Sequence, residues 1–204
     1  MNPAPRCRVQ SVWHHVFGRR APLELEIGCG RGDFLLQRAA SRPQHNVVGI
    51  ECKTRLVRHI NARKQRLGLT NVHVVHGDAW AWVPTTFAAT EITALFLNFP
   101  DPWWKKRHAK RRILPRWFVH VLSSKAMPGA GFFLQTDVCM TFRHCLQALR
   151  QDGLWHHCQG DAGAAFSSNP AGTQSYRERR CLKQGIPVYR AALTRTLTQP
   201  PPRR

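Results

Sequence analysis

At 204 residues the chain is long enough for one domain with a sizeable core, and 31 Lys and Arg against 11 Asp and Glu give it a formal net charge of +20. That surplus points to a polyanionic partner, nucleic acid in preference to an acidic membrane, because no stretch pairs its cations with a continuous apolar face. There is no signal-peptide core and no run near the roughly 18 apolar residues of a membrane span, and seven scattered cysteines without Cys-x-x-Cys argue against a disulfide framework or a structural zinc site, so a cytoplasmic protein without a metal is expected.

Residues 1–20 form a short basic segment in which Val12, Trp13, Val16 and Phe17 could make one helical turn docking on the domain. Leu23 to Ile27 reads as a strand that runs into Gly28-Cys29-Gly30-Arg31-Gly32 and a helix from Asp33 through Ala40. Strand, glycine turn and helix start are the parts of a nucleotide cradle, since glycines let backbone N–H groups approach a ligand. The glycines fall at every second position, however, where a dinucleotide fingerprint has G-x-G-x-x-G, and Glu26 precedes them. An acid facing the loop would repel a pyrophosphate and can pair with a cationic ligand, such as the sulfonium and amino groups of S-adenosylmethionine. Val47 to Glu51 is a second buried strand, and a carboxylate about twenty residues past the glycine loop suits ribose hydroxyls. A basic helix from Lys53 to Leu67, closed by Gly68, leads to the strand Val72–Val75 and to His76-Gly77-Asp78-Ala79, where Asp78 could accept from an adenine amine. Each acid alone reads as an ordinary cap or turn residue; three at three successive strand ends suggest one pocket.

The apolar run Ile92–Leu97 continues into Asn98-Phe99-Pro100-Asp101-Pro102-Trp103-Trp104-Lys105-Lys106-Arg107-His108-Ala109-Lys110-Arg111-Arg112. Two prolines stop the strand and fix the backbone on both sides of Asp101. Cations beside flat aromatic faces then suit a polyanion with unstacked bases; the plain alternative is a turn followed by a solvated basic helix. A helix from Leu114 to Lys125, the turn Pro128–Gly131, a strand Phe132–Thr136 ending at Asp137 and a helix Met140–Arg150 follow. His156-His157-Cys158 is the one metal-like cluster, but neighbours on a strand point to opposite faces. Ser175-Tyr176-Arg177-Glu178 precedes a strand signal at Gly185–Arg190, and residues 195–204 read as a disordered tail behind a domain of residues 21–194.

The order Glu26-Ile-Gly-x-Gly-x-Gly, Glu51 and Gly77-Asp78-Ala79 resembles the class I S-adenosylmethionine-dependent methyltransferases. With Asn98-Phe-Pro-Asp-Pro-Trp and the basic run after it, the chain from about Leu23 to Leu193 resembles the TrmB-type tRNA (guanine-N7-)-methyltransferase family. The resemblance implies an α/β, Rossmann-like fold with a central, mostly parallel sheet covered by helices on both faces. It implies S-adenosylmethionine as methyl donor, with Glu26, Gly28, Gly30, Glu51, Asp78 and Asp101 around it, and S-adenosylhomocysteine as product. It further implies Asp101 as the catalytic residue, Lys105, Asp137, Ser175 and Glu178 as substrate contacts, and Arg107, His108, Lys110, Arg111 and Arg112 as RNA contacts. Thr136-Asp137 is similar to the family's Thr-Asp step, and Ser175-x-x-Glu178 to its Thr-x-x-Glu motif, with Thr173 a competing register. Trp104 and Thr141 depart from the family's usual residues without removing a charge. The implied target is guanosine 46 in the tRNA variable loop, by a monomer or homodimer that needs no obligate protein partner. The rivals are a methyltransferase for another RNA or a small molecule, which the +20 charge disfavours, and a non-catalytic RNA-binding protein, which the acids at the strand ends disfavour.

Overall fold

Short apolar strands bounded by helical segments can be buried on both faces only inside a covered sheet. The computed structural model describes residues 11–102, 114–157 and 169–196. Its seven strands are β1 (Leu23–Ile27), β2 (Asn46–Glu51), β3 (Val72–His76), β4 (Ile92–Asn98), β5 (Ala126–Thr136), β6 (Trp155–His157) and β7 (Tyr189–Arg195). They form one sheet in the order β3-β2-β1-β4-β5-β7-β6. The first five strands pair in parallel, while β7 runs antiparallel between β5 and β6.

The helices are α1 (Trp13–Phe17), α2 (Asp33–Ser41), α3 (Thr54–Arg66), α4 (Ala79–Thr86), α5 (Arg116–Lys125), α6 (Cys139–Asp152) and α7 (Tyr176–Lys183). Alternation along the strands sorts them between two layers. Val47 packs with Val72 and Val74 under Leu35, Leu36 and Ala39 of α2 and Val57 and Ile60 of α3. Val48 and Ile50 face the other way, into a core with Leu25, Leu95, Phe118 and Leu122 of α5, and Leu149 of α6. Gly49 lies where a Cβ would stand 2.6 Å from Leu35 Cδ2 and 2.9 Å from Cys29 Sγ, so a side chain there would push α2 and the glycine loop off the sheet. Glu24 of β1 anchors α2 through a buried two-pronged pair with Arg38, 2.7 and 2.9 Å, a geometry that offsets the cost of burying both charges.

The elements agree with the sequence pattern except where local signals were hidden. β5 starts at Ala126 and takes in Pro128–Gly131, expected as a turn, because its register shifts against β4 between Ile92 and Ala94. α4 carries Pro84 in its interior, and α7 is so polar that it buries only Glu178 and Cys181, so neither announces itself by an apolar stripe of several residues. β7 starts later than the Gly185 signal and runs through Arg195, which is buried and donates to Ser123 O at 2.9 Å; that residue therefore belongs to the sheet and not to the tail expected from position 195. Strand β1 is flanked by β2 and β4, whose following helices α3 and α5 pack on the two different faces, and this reversal opens a crevice at the carboxyl ends of the strands.

Candidate active site

Every loop that leaves that crevice carries an acid. The glycine loop turns through left-handed backbone at Gly28, Gly30 and Gly32, and at Gly32 an added Cβ would also meet Ile60 Cγ1 at 2.7 Å. Glu51, at the end of β2, holds the loop from below: its Oε2 accepts from Gly30 N at 2.8 Å and its Oε1 from Lys53 N at 2.9 Å. Asp78 caps α4, accepting from Trp80 N at 2.9 Å. At the end of β4, Phe99 sits at φ 50°, an uncommon place for a bulky residue, and its N–H donates to Gln135 O at 2.7 Å. Pro100 then sets Asp101 at the mouth, exposed to solvent.

Together these loops enclose a cavity of about 370 Å³, within the range of small-molecule sites. Glu26, Asp33, Glu51, Asp78 and Asp101 all line it, five of the chain's eleven acids. The described acids outside it, Glu24, Glu91, Asp137, Asp152 and Glu178, each have a hydrogen-bond or ion-pair partner. A chain of net charge +20 thus sets five acids around one hollow, and its other described acids are engaged by partners, which suits a cationic ligand inside and a polyanion outside.

Glu26 is the most constrained of the five. It is 1% exposed, Oε1 accepts from Asn98 Nδ2 at 2.7 Å, and Oε2 is buried without a hydrogen-bond partner. Burial, with Asp33 and Glu51 adding to it against the Asn98 N–H, pushes the carboxyl up to about 8. An orphaned oxygen of this kind calls for a donor or a cation. The neighbouring Cys29 thiol is likewise pushed up by burial, which removes it as a nucleophile.

The structure brings together Glu26, Gly28, Gly30, Glu51, Asp78, Asp101 and Ser175 around this cavity. It does not bring Asp137 or Glu178 to the cavity wall. Asp137 pairs with Arg177, whose guanidinium Nη2 lies 2.5 Å from Asp137 Oδ2 and which itself lines the cavity. Glu178 is fully buried and pairs with Arg190 at 2.9 Å, so the direct substrate contact expected of it meets no open surface. Lys105, Arg107, His108, Lys110, Arg111 and Arg112 lie outside the described residues. The lining residues Arg31, Asp33, Lys53, Tyr176 and Arg177, each charged or aromatic, are not among the site residues expected from the sequence. Arg31 stacks over the Tyr176 ring at 4.6 Å, joining the glycine loop to α7, and its place inside the glycine motif was the available signal. Among the described residues no group of His, Cys, Asp and Glu is arranged to hold a metal.

A family model described as a putative methyltransferase matches residues 20–191. The tRNA (guanine-N(7)-)-methyltransferase of Myxococcus xanthus (strain DK1622) is 38% identical over 181 residues, 89% of this chain and 87% of that protein. That of Synechococcus sp. (strain JA-3-3Ab) is 37% identical over 185 residues, 90% of this chain and 77% of its own. The chain belongs to the tRNA (guanine-N(7)-)-methyltransferase family. Solved structures share the family's fold at low identity. The 16S rRNA methyltransferase KamB superposes with a TM-score of 0.66 at 15% identity, covering 90% of this chain and 92% of that one. A 16S rRNA methyltransferase from Catenulisporales acidiphilia, solved with cosubstrate SAM, gives 0.61 at 14% identity, with 93% and 92% covered.

S-adenosylmethionine is the methyl donor of this tRNA (guanine-N(7)-)-methyltransferase family member, and the residues present fit it. The donor is a cation, and the cavity offers five acids, one with a buried oxygen still unpaired. A carboxylate has about four acceptor sites, so Glu51, with two taken by backbone N–H groups, retains capacity for hydroxyl donors.

Proposed function

We propose that this chain transfers a methyl group from S-adenosylmethionine to N7 of a guanosine in tRNA, at position 46 of the variable loop. The observation that carries the reading is the charge partition: a hollow lined by five acids on a protein of net charge +20. When bound, S-adenosylmethionine supplies an electrophilic methyl group on a positively charged sulfur.

Guanine N7 presents an in-plane lone pair and carries no proton, so no residue has to act as a general base. The chain's task is to hold two partners in line, and orientation alone can contribute about 7 to 11 kcal/mol toward lowering a barrier. In this reading Glu26 and the turn at Gly28 and Gly30 hold the methionine end, Glu51 the ribose and Asp78 the adenine. Asp101, fixed between Pro100 and Pro102 at the mouth, accepts from the guanine N1–H and N2 amine. Its charge opposes the positive charge growing on the ring as the new bond forms. Ser175, whose Oγ accepts from Glu178 N at 3.1 Å, keeps its hydroxyl proton to donate to the base. Arg177, held by Asp137, and Lys53 stand at the rim where phosphates flank an extruded nucleotide. The run Lys105 to Arg112 continues this cationic rim in sequence, and tRNA is its partner.

Incubating unmodified tRNA with the purified protein and methyl-labelled S-adenosylmethionine, then analysing nucleosides and mapping the position, tests this. N7-methylguanosine at position 46 is expected; label in another nucleoside, or none, refutes it.

A further inference from the structure

A chain of buried polar groups runs from the cavity floor to α7. Asn98 Nδ2 donates to Glu26 Oε1 at 2.7 Å, and Asn98 Oδ1 accepts from Gln135 Nε2 at 2.9 Å. The same Gln135 Nε2 donates to Glu178 Oε2 at 3.1 Å, and Glu178 Oε1 pairs with Arg190 Nη2 at 2.9 Å. Asn169 Nδ2 adds a second donor to Glu178 Oε2 at 2.9 Å, and Gln135 Oε1 faces Arg190 Nε at 3.4 Å. The members on the strands and α7 are buried, Asn98 at 7% exposed, Gln135 and Glu178 at 0% and Arg190 at 4%, while Asn169 is half-buried.

Ser175-x-x-Glu178 has the spacing of a capping box, and half of one is present, since Ser175 Oγ accepts from Glu178 N. The Glu178 side chain turns into the sheet network in place of returning to the N-terminus of α7. Its charge gives the chain of amides a direction. An ionised carboxylate only accepts, so the Gln135 NH₂ must face Glu178 and its carbonyl must face Arg190. With that NH₂ also reaching Asn98, the Asn98 carbonyl faces Gln135 and its NH₂ faces Glu26. Flipping either amide would set two NH₂ groups, or an oxygen and a carboxylate, against each other without water to relieve them.

We propose that Glu178 is a positioning residue: with Arg190 it orients the Gln135 and Asn98 amides so that Glu26 receives an N–H on Oε1 and keeps Oε2 for the methyl donor. The inference rests on the S-adenosylmethionine reading of the cavity and assigns the motif glutamate to that end of the reaction. Asn98 immediately precedes Phe99-Pro100-Asp101, and Gln135 also receives the Phe99 N–H on its backbone oxygen, so the network supports the Asp101 turn as well.

The test compares wild type with Gln135→Met, which cuts the relay while leaving Glu178 its Arg190 and Asn169 partners, and with Glu178→Gln. Because Glu178→Gln removes the negative charge that faces buried Arg190, the neutral pair Glu178→Gln/Arg190→Met serves where the single variant fails to fold. For each folded protein, S-adenosylmethionine affinity is measured by calorimetry, tRNA affinity by filter binding, and KM for both substrates in steady state. Gln135→Met and the folded Glu178 variant should bind S-adenosylmethionine about tenfold more weakly, the worth of one buried hydrogen bond, with KM for the methyl donor raised and that for tRNA unchanged. Wild-type donor affinity in Gln135→Met, or a Glu178 variant that loses tRNA affinity while keeping the donor's, overturns the proposal. A wild-type protein that fails to bind S-adenosylmethionine at all takes down the reading of the cavity with it.

Discussion

Glu26→Gln separates what the cavity costs in stability from what it contributes to binding. The wild-type carboxyl is 1% exposed and lies at about 8 against an ordinary 4.5, mainly through burial, with Asp33 and Glu51 adding and the Asn98 N–H opposing. Because the folded value lies above the unfolded one, the group's favourable contribution is fully present below pH 4.5. It declines as pH rises and is gone above about 8. At about 1.4 kcal/mol per pH unit, the loss between pH 5 and pH 8 is about 4 kcal/mol, an upper value because a buried site can relax or admit water. Glutamine keeps an oxygen for Asn98 and has nothing to ionise. The stability of Glu26→Gln relative to wild type, from urea unfolding at matched ionic strength, should therefore rise steadily from pH 5 to pH 8. Its affinity for S-adenosylmethionine should fall below that of wild type by a margin that grows toward pH 8, where the wild-type carboxyl ionises. A stability difference that stays flat to within about 1 kcal/mol over that interval would sink the reasoning, since no buried carboxyl would then be titrating in the folded state.

Asp101→Ala should abolish methyl transfer to tRNA while calorimetric binding of S-adenosylmethionine stays near wild type; an active variant removes Asp101 from the reaction. Neutralising Arg107, Arg111 and Arg112 together should lower the slope of log affinity for tRNA against log salt by about three, one for each phosphate contact, and an unchanged slope takes that run out of the interface. Gly32→Ala meets both a left-handed backbone and Ile60 Cγ1 at 2.7 Å, so unfolding should show a loss of about 2 to 4 kcal/mol, where a loss below about 1 would mean the loop yields.

Much of this protein is written locally. A buried strand, a glycine turn and a helix start announce themselves through residue type, so β1, β2, β3 and β4 stand where their apolar runs stood, and the acids at the ends of those strands were visible as Glu26, Glu51, Asp78 and Asp101. The family resemblance rested on the same stretches, because motifs that meet a ligand are contiguous turns. What the sequence alone could not decide was the state of each acid. Glu26 stands between Leu25 and Ile27 and Glu178 between Arg177 and Arg179, yet it is Glu26 that keeps an unpaired oxygen in the cavity and Glu178 that is sealed against Arg190. That difference is set by Asn98, Gln135, Asn169 and Arg190, which come from β4, β5, the segment before α7 and β7, and no local pattern brings them together. Hydrogen-bond partners from distant strands meet only once the sheet has closed, and burial, which fixes both charge and direction in such a network, is a property of the tertiary structure.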